Sequence, residues 1–124
     1  MQPQYIIRGK VRHGNKRGRK LGFPTVNVDI HQQISDGVYV SMVKYEKSEF
    51  YAVTFIGKAE TFNETKYQSE TYIFDFNKTI YHKWLSIKIY KKLRSSKKFK
   101  SEKELIEQIK KDVRDVEKFI EVLS

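Results

Sequence analysis

Short runs of β-branched and aromatic residues, separated by polar turns, constrain the fold of this chain most. Residues of these types pack well on a pleated surface, and the polar turns between the runs allow the chain to reverse. Five or six such runs at short spacing predict an antiparallel barrel or a compact sandwich. The runs that predict strands are Tyr5–Val11, Val26–Ile30, Val38–Tyr45, Phe50–Ile56, Ser69–Phe76 and Trp84–Tyr90. The polar stretch Gly57–Gln68 predicts a loop.

The C-terminal segment has a different periodicity, which predicts a helix over residues 102–122. Ser101 and Glu104 have the spacing of a capping box, with Ser101 as the N-cap. Apolar residues recur every three or four positions and predict a stripe that packs on the barrel. They are Leu105, Ile106, Ile109, Val113, Val116 and Ile120.

Composition limits the class of protein. A length of 124 residues predicts a single domain over residues 1–124, and the net charge of +10 predicts an anionic partner. No apolar run is long enough to cross a membrane, so we expect no membrane association. The absence of cysteine excludes disulfides and favours a cytoplasmic location. We also expect a monomer.

The stretch Gly9–Asn27 combines four glycines with six basic residues and ends in Pro24, Thr25 and Asn27. Backbone N–H groups in glycine-rich turns can cradle phosphates, and nearby cations add charge. Thr25 and Asn27 lie two residues apart, so on an extended segment their oxygens share a face and suit Mg²⁺. By composition alone, a solvated or nucleic-acid-binding loop is the commoner interpretation. The alternative is a polyphosphate clamp that ends in a metal site.

Two further positions are candidates for chemistry. Alternation along Glu70–Phe76 puts Glu70 on one face with Tyr72, Phe74 and Phe76, where a carboxylate could act as a general base. A solvated glutamate at a strand end is the simpler interpretation of the pattern. Arg94 and Phe99 lie in a basic segment between the last strand and the helix, and could frame a ligand by stacking or charge.

The order of these motifs resembles that of riboflavin kinases. The resemblance covers the whole chain, and its most specific string is Arg-Gly-Arg-Lys-Leu-Gly-Phe-Pro-Thr-Val-Asn at residues 17–27. It continues with Gly-Val-Tyr at 37–39, Ile-Gly at 56–57, Glu70 in an aromatic strand, Leu-Arg at 93–94 and Gln-Ile-x-x-Asp at 108–112. The family implies a mainly β fold, a six-stranded antiparallel Greek-key β-barrel with a C-terminal α-helix packed on it.

The resemblance also implies an activity and a set of roles. ATP would donate its γ-phosphoryl group to the 5′-hydroxyl of riboflavin, giving FMN and ADP, with Mg²⁺ as cofactor. Glu70 would be the catalytic base, Thr25 and Asn27 the metal ligands, and Arg94 and Phe99 the flavin-binding residues. The implied nucleotide-binding residues are Gly9, Lys10, Gly18, Lys20, Gly22, Pro24, Thr25 and Asn27.

The sequence departs from the family pattern at a few positions. Glu60 stands where proline is usual, Tyr72 where histidine is frequent, and Ser96 where glutamate is frequent. These departures leave two alternatives open: a flavin- or nucleotide-binding module without catalysis, and a small basic β-barrel that binds RNA or single-stranded DNA. The bacterial domain often accompanies an adenylyltransferase domain, for which we expect no room in 124 residues.

Overall fold

The computed structural model describes residues 2–12, 25–61, 64–76 and 78–123. These residues form six antiparallel strands followed by one helix. The elements are β1 (Tyr5–Lys10), β2 (Thr25–Asp29), β3 (Gly37–Tyr45), β4 (Ser48–Thr61), β5 (Glu64–Ile73), β6 (Trp84–Arg94) and α1 (Glu102–Leu123).

The six strands form one sheet in the order β1-β6-β3-β4-β5-β2. Strands β3, β4 and β5 follow one another as hairpins, and β6 returns to lie beside β3, which is a Greek-key arrangement. The sheet curls until its edges meet, where the Arg12 N–H donates a 2.8 Å hydrogen bond to the Asn27 carbonyl oxygen. The Greek-key barrel with a C-terminal helix is thus confirmed.

Alternation divides the side chains between two apolar clusters. One fills the inside of the curled sheet and includes Val28, Val43, Ile56, Ile87 and Ile89, all buried. The second lies on the outer face, where Val116 of α1 packs against the buried side chains of Val38, Val40 and Val53. The helix therefore covers part of the outer face with its apolar stripe, as the sequence predicts.

Polar groups inside the barrel are paired. Thr54 Oγ1 donates a 2.7 Å hydrogen bond to Ser41 Oγ and lies 2.9 Å from Thr71 Oγ1, on three neighbouring strands. The Tyr39 hydroxyl donates a 2.6 Å hydrogen bond to the Ser35 carbonyl oxygen. Burial raises the pKa of Tyr39. Such pairing offsets most of the cost of removing hydroxyl groups from water.

The predicted loop Gly57–Gln68 is wrong, because β4 and β5 continue through it as far as the pair Thr61–Glu64. Ladder hydrogen bonds join backbone groups, so polar residues can extend a hairpin once the flanking strands have set its register. The last strand is also longer than predicted, and it contains Arg94.

The predicted strand Ser69–Phe76 ends early, at Ile73. Asp75 has a φ of 56°, which reverses the chain and stops the alternation. Phe74 consequently packs with Tyr72 on the outer cluster, whereas Phe76 packs on the inner one. The expectation that Phe76 shares the face of Glu70 is therefore wrong.

The helix begins with the predicted N-cap. Ser101 Oγ accepts a 3.2 Å hydrogen bond from the Glu104 N–H. The Glu104 carboxylate accepts a 3.2 Å bond from the N–H of Lys100, one residue before the N-cap. Within the described residues, no helix has the length and apolar character needed to cross a bilayer.

Candidate active site

One row of residues across the outer face of the sheet brings together side chains that are distant in sequence. Asn27 of β2 pairs directly with Glu70 of β5, and Glu70 pairs in turn with Phe55 of β4. The row continues from Phe55 to Val38 of β3 and ends at Arg94 of β6. Directly paired residues point to the same face, so all five side chains share the outer side.

Dimensions of the row follow from strand spacing. Adjacent strands are about 4.8 Å apart. Asn27 is therefore one strand from Glu70, and Arg94 is three strands, or roughly 14 Å, from Glu70 on the other side. Phe55 is partly buried beside Glu70, whereas Val38 is buried against Val116 of α1, so the helix covers the row between Phe55 and Arg94. The row thus has an oxygen-rich end at β2 and a cationic end at β6.

Thr25 and Asn27 occupy the oxygen-rich end. Both lie on β2 and are partly buried, and Thr25 pairs with Tyr72 two positions from Glu70. Val28, the residue after Asn27, points into the core. The Thr25 hydroxyl and the Asn27 amide therefore lie on the opposite, outer face, with Glu70. The same-face arrangement expected for Thr25 and Asn27 is present, and the register adds a carboxylate to it.

These side chains suit a hard cation in chemical terms. A hydroxyl oxygen, an amide oxygen and a nearby carboxylate are the donor types that Mg²⁺ accepts, and Mg²⁺ usually keeps waters and substrate phosphate oxygens as further ligands. Among the described residues there is no cluster of three or more His, Cys, Asp or Glu side chains able to hold a metal. A metal at this end would therefore rely on mixed oxygen donors.

Arg94, at the other end of the row, is held by the helix. Its Nε donates a 2.9 Å hydrogen bond to Asp112 Oδ1 and its Nη2 a 2.8 Å bond to Oδ2. Gln108 Nε2 donates a further 3.0 Å bond to Asp112 Oδ1. The Asp112 side chain is 1% exposed and that of Arg94 is 21% exposed. This bidentate ion pair ties the end of β6 to the middle of α1.

A bulge explains how β6 meets the helix. The β3–β6 register shifts between Val38 and Tyr39, which pair with Arg94 and Lys92 respectively. The extra residue, Leu93, packs on the outer cluster. Bulges of this kind redirect side chains, so both Leu93 and Arg94 reach α1.

The remaining predicted site residues have mixed outcomes. Phe99 is partly buried, with Lys97 Nζ 5.3 Å from its ring centroid, so a cation already faces this ring. Gly9 and Lys10 lie at the end of β1. A Cβ on Gly9 would come within 2.6 Å of Val28 Cγ1, so close packing against Val28 requires a glycine at this position. Gly18, Lys20, Gly22 and Pro24 lie outside the described residues.

Sequence reasoning missed two contributors to this site. Phe55 carries no motif of its own, and it joins the row because of the β4–β5 register. Asp112 is a family-motif residue, yet its role as the buried partner of Arg94 comes from packing between helix and strand. Besides the motif, the signal in the sequence is that Asp112 lies among the apolar positions of α1.

A groove of about 390 Å³ lies elsewhere, beside the Glu49–Tyr51 segment and the C-terminal part of α1. Four carboxylates line it: Glu49, Asp75, Glu117 and Glu121. An acidic groove repels polyphosphates, so it does not suit a nucleotide. The row from Asn27 to Arg94 remains the candidate active site.

These observations define a class of protein: a small Greek-key barrel with a C-terminal helix on its outer face and a row of oxygen donors beside a carboxylate. Riboflavin kinase from Trypanosoma brucei shares this fold, with a TM-score of 0.66 at 23% identity, over 98% of this chain and 82% of that one. The family model described as riboflavin kinase matches residues 1–120. The chain belongs to the riboflavin kinase family.

Two curated relatives are bifunctional riboflavin kinase/FMN adenylyltransferases. The Haemophilus influenzae protein is 39% identical over 118 residues, which is 93% of this chain and 38% of that protein. The Bacillus subtilis protein is 40% identical over 114 residues, covering 87% of this chain and 36% of that protein. The chain thus spans little more than a third of the length of these relatives.

Proposed function

We propose that this protein is a riboflavin kinase, which transfers the γ-phosphoryl group of ATP to the 5′-hydroxyl of riboflavin and releases FMN and ADP. The observation that carries the proposal is the pairing of Asn27 with Glu70 on one face of the barrel. It joins the two motif residues to which the resemblance gives metal binding and proton transfer. Family membership supports the same reaction.

Glu70 is the general base in this proposal. The 5′-hydroxyl oxygen forms a bond to the γ-phosphorus as the bond to the β–γ bridging oxygen breaks, and the Glu70 carboxylate takes the hydroxyl proton. Phosphoryl transfer requires mainly in-line positioning and charge neutralisation, so the base needs only to lie within reach of the hydroxyl.

Thr25 and Asn27 are the residues that would hold Mg²⁺ with the ATP phosphates. Bound there, the ion would neutralise charge on the transferring phosphoryl group. The glycines and lysines of the 9–24 segment would cradle the phosphates, because they offer backbone N–H groups and positive charge next to Thr25.

The flavin occupies the other part of the row. Phe55 is partly buried and offers an apolar surface beside Glu70 on which a flat ring system can lie, and the basic segment after Arg94 borders it, where Ser96 Oγ is 3.5 Å from the Ile56 carbonyl oxygen. Because Asp112 occupies the guanidinium of Arg94, this arginine acts through the position of the segment that carries Phe99. Cytoplasmic location and a monomeric state remain predictions of the same proposal.

The test is FMN formation from riboflavin and ATP, separated by chromatography, with and without Mg²⁺. We expect metal-dependent FMN from the wild type and a single-turnover rate roughly 10²–10⁴-fold lower for Glu70→Gln. Glu107→Gln, an exposed helix position, is the matched control and should leave the rate unchanged.

Each negative outcome has a distinct meaning. An unchanged rate in Glu70→Gln removes Glu70 from the role of base. Absence of FMN from a folded wild type that still binds flavin or ATP identifies a binding module without catalysis. Absence of both product and ligand binding overturns the kinase proposal.

A further inference from the structure

Two large apolar side chains on the paired strands β1 and β6 are more than half exposed. Ile6 on β1 is 56% exposed and Trp84 on β6 is 55% exposed. The register pairs Ile6 with Lys88, Arg8 with Ser86 and Lys10 with Trp84, so these side chains share one face. Trp84 is therefore an exposed aromatic ring on a sheet face that also carries basic side chains.

One cation lies beside the exposed ring, and others lie along the same face. The Arg8 guanidinium carbon is 5.7 Å from the Trp84 ring centroid, and Arg8 Nη1 donates a 3.3 Å hydrogen bond to Ser86 Oγ. Lys44 of β3 lies next in the same row as Ser86 and is exposed. We call the set Ile6, Arg8, Lys10, Lys44, Trp84 and Lys88 the β1/β6 face.

One carboxylate reaches this face among the described contacts. Glu49 lies 3.7 Å from Lys88 Nζ, with both side chains part-exposed. A surface ion pair this long contributes little, so Lys88 can exchange it for a stronger anion. Arg8, Lys10 and Lys44 are exposed. The face therefore carries an excess of positive charge around a flat aromatic ring.

We propose that the β1/β6 face binds single-stranded nucleic acid. A base would stack on the Trp84 indole, with the Arg8 guanidinium beside it, and the lysines would contact phosphates. Aromatic platforms set among cations are the usual way in which barrel proteins bind single strands without sequence preference. The net charge of +10 favours the same polyanionic partner.

This site is distinct from the flavin end of the active-site row. Trp84 begins β6 and Arg94 ends it, so the two lie roughly 27 Å apart along the strand once its two extra residues are discounted. Lys10 belongs to both the β1/β6 face and the predicted nucleotide-binding set, and variants should leave it unchanged. The Trp84 end of the face adjoins the oxygen-rich end of the row, because Lys10 pairs with Trp84 and Arg12 pairs with Asn27.

Trp84 is the one tryptophan in the sequence, so its fluorescence reports on this face directly. Titration of the full chain with a twelve-nucleotide oligo(U) or oligo(dT) should quench it. Affinity should fall as salt rises, with a log–log slope between about −2 and −3 for three or four phosphate contacts.

Variants assign the binding to the face. With a labelled oligonucleotide followed by anisotropy, Trp84→Leu should lower affinity roughly 5- to 150-fold through lost stacking. The double variant Arg8→Gln/Lys88→Gln should lower both affinity and salt slope. The matched control, Lys103→Gln/Lys110→Gln, removes two exposed cations from α1 and should bind as the wild type does. Circular dichroism verifies that each variant is folded.

Several results would overturn the inference. Unchanged affinity in folded Trp84→Leu would mean that the strand binds elsewhere or by charge alone. Quenching by ATP alone, with no further effect of oligonucleotide, would make the face part of a mononucleotide site. Binding to anionic lipid vesicles without binding to either oligonucleotide would identify a membrane surface instead.

Discussion

Removal of either partner of the Arg94–Asp112 ion pair should destabilise the fold, but by different amounts. The asymmetry follows from exposure, because the Asp112 side chain is 1% exposed whereas that of Arg94 is 21% exposed. Arg94→Met leaves a buried carboxylate whose remaining side-chain partner is Gln108, at 3.0 Å. An uncompensated buried charge of this kind costs about 3–5 kcal/mol.

Asp112→Asn should cost less. The asparagine keeps the shape of the side chain and can still accept one hydrogen bond, while the part-exposed Arg94 can turn its charge towards water. With these compensations, loss of the charge-assisted pair should lower the free energy of unfolding by about 1–3 kcal/mol. The double variant Arg94→Met/Asp112→Leu removes both charges together. It should be more stable than Arg94→Met alone, since apolar replacement of a buried pair is often nearly neutral.

Urea unfolding followed by circular dichroism measures these differences. With a slope of about 1–3 kcal/mol per molar urea, a loss of 4 kcal/mol lowers the midpoint by roughly 1.3–4 M. Arg94→Lys provides a milder variant if Arg94→Met does not fold, because it keeps the charge and loses the bidentate geometry. The reasoning is refuted if Asp112→Asn is the more damaging of the two single variants, or if the double variant is no more stable than Arg94→Met alone.

Three further predictions concern other parts of the chain. Asn27→Ala should raise the Mg²⁺ concentration required for FMN formation, measured by metal titration at fixed ATP. Gly9→Ala should destabilise the fold by about 1–3 kcal/mol, because its Cβ would meet Val28 Cγ1 at 2.6 Å. Gly57→Ala is the control: no atom lies within 4 Å of the added Cβ, so the substitution should cost less than about 1 kcal/mol. Burial raises the pKa of Tyr39 above its ordinary value of 10.0. The folded state therefore holds the hydroxyl proton more tightly than the unfolded state does, and the resulting stabilisation is fully present at pH values below about 10. As pH rises beyond that value the unfolded state loses this proton first, and the stability advantage of wild type over Tyr39→Phe should shrink.

Each of these has an opposing result. A wild-type Mg²⁺ dependence in Asn27→Ala would contradict the metal site. Equal unfolding midpoints for the two glycine variants would mean that the close approach of Val28 is not limiting. If the wild type and Tyr39→Phe kept a constant difference in unfolding free energy between pH 9 and pH 11, the hydroxyl would not be desolvated as described.

The sequence alone determined the elements whose signals are local. Two-residue alternation is a property of one strand, which is why the shared face of Thr25 and Asn27 could be predicted before any partner strand was known. The N-cap at Ser101 and the apolar stripe of α1 depend on residues three and four positions apart, and both were predicted correctly. The order of family motifs added the barrel topology.

The ends of strands were less predictable. Gly57–Gln68 is polar, and single-sequence reasoning treats such a segment as a loop, although backbone pairing extends the hairpin through it. Phe76 was assigned to the wrong face because one residue with positive φ, Asp75, breaks the alternation. Neither feature has a strong side-chain signal.

Only the tertiary structure decided how the site is assembled. Glu70 faces Asn27 because the β2–β5 register sets that pair, and a slip of one residue would turn Glu70 to the other side of the sheet. The bidentate contact between Arg94 and Asp112 requires a bulge in β6 and the packing of α1 at the same time. Local patterns fix which residues form strands and helices, whereas long-range pairing fixes which of their side chains meet. That pairing depends on burial across the whole core, and no single segment carries it.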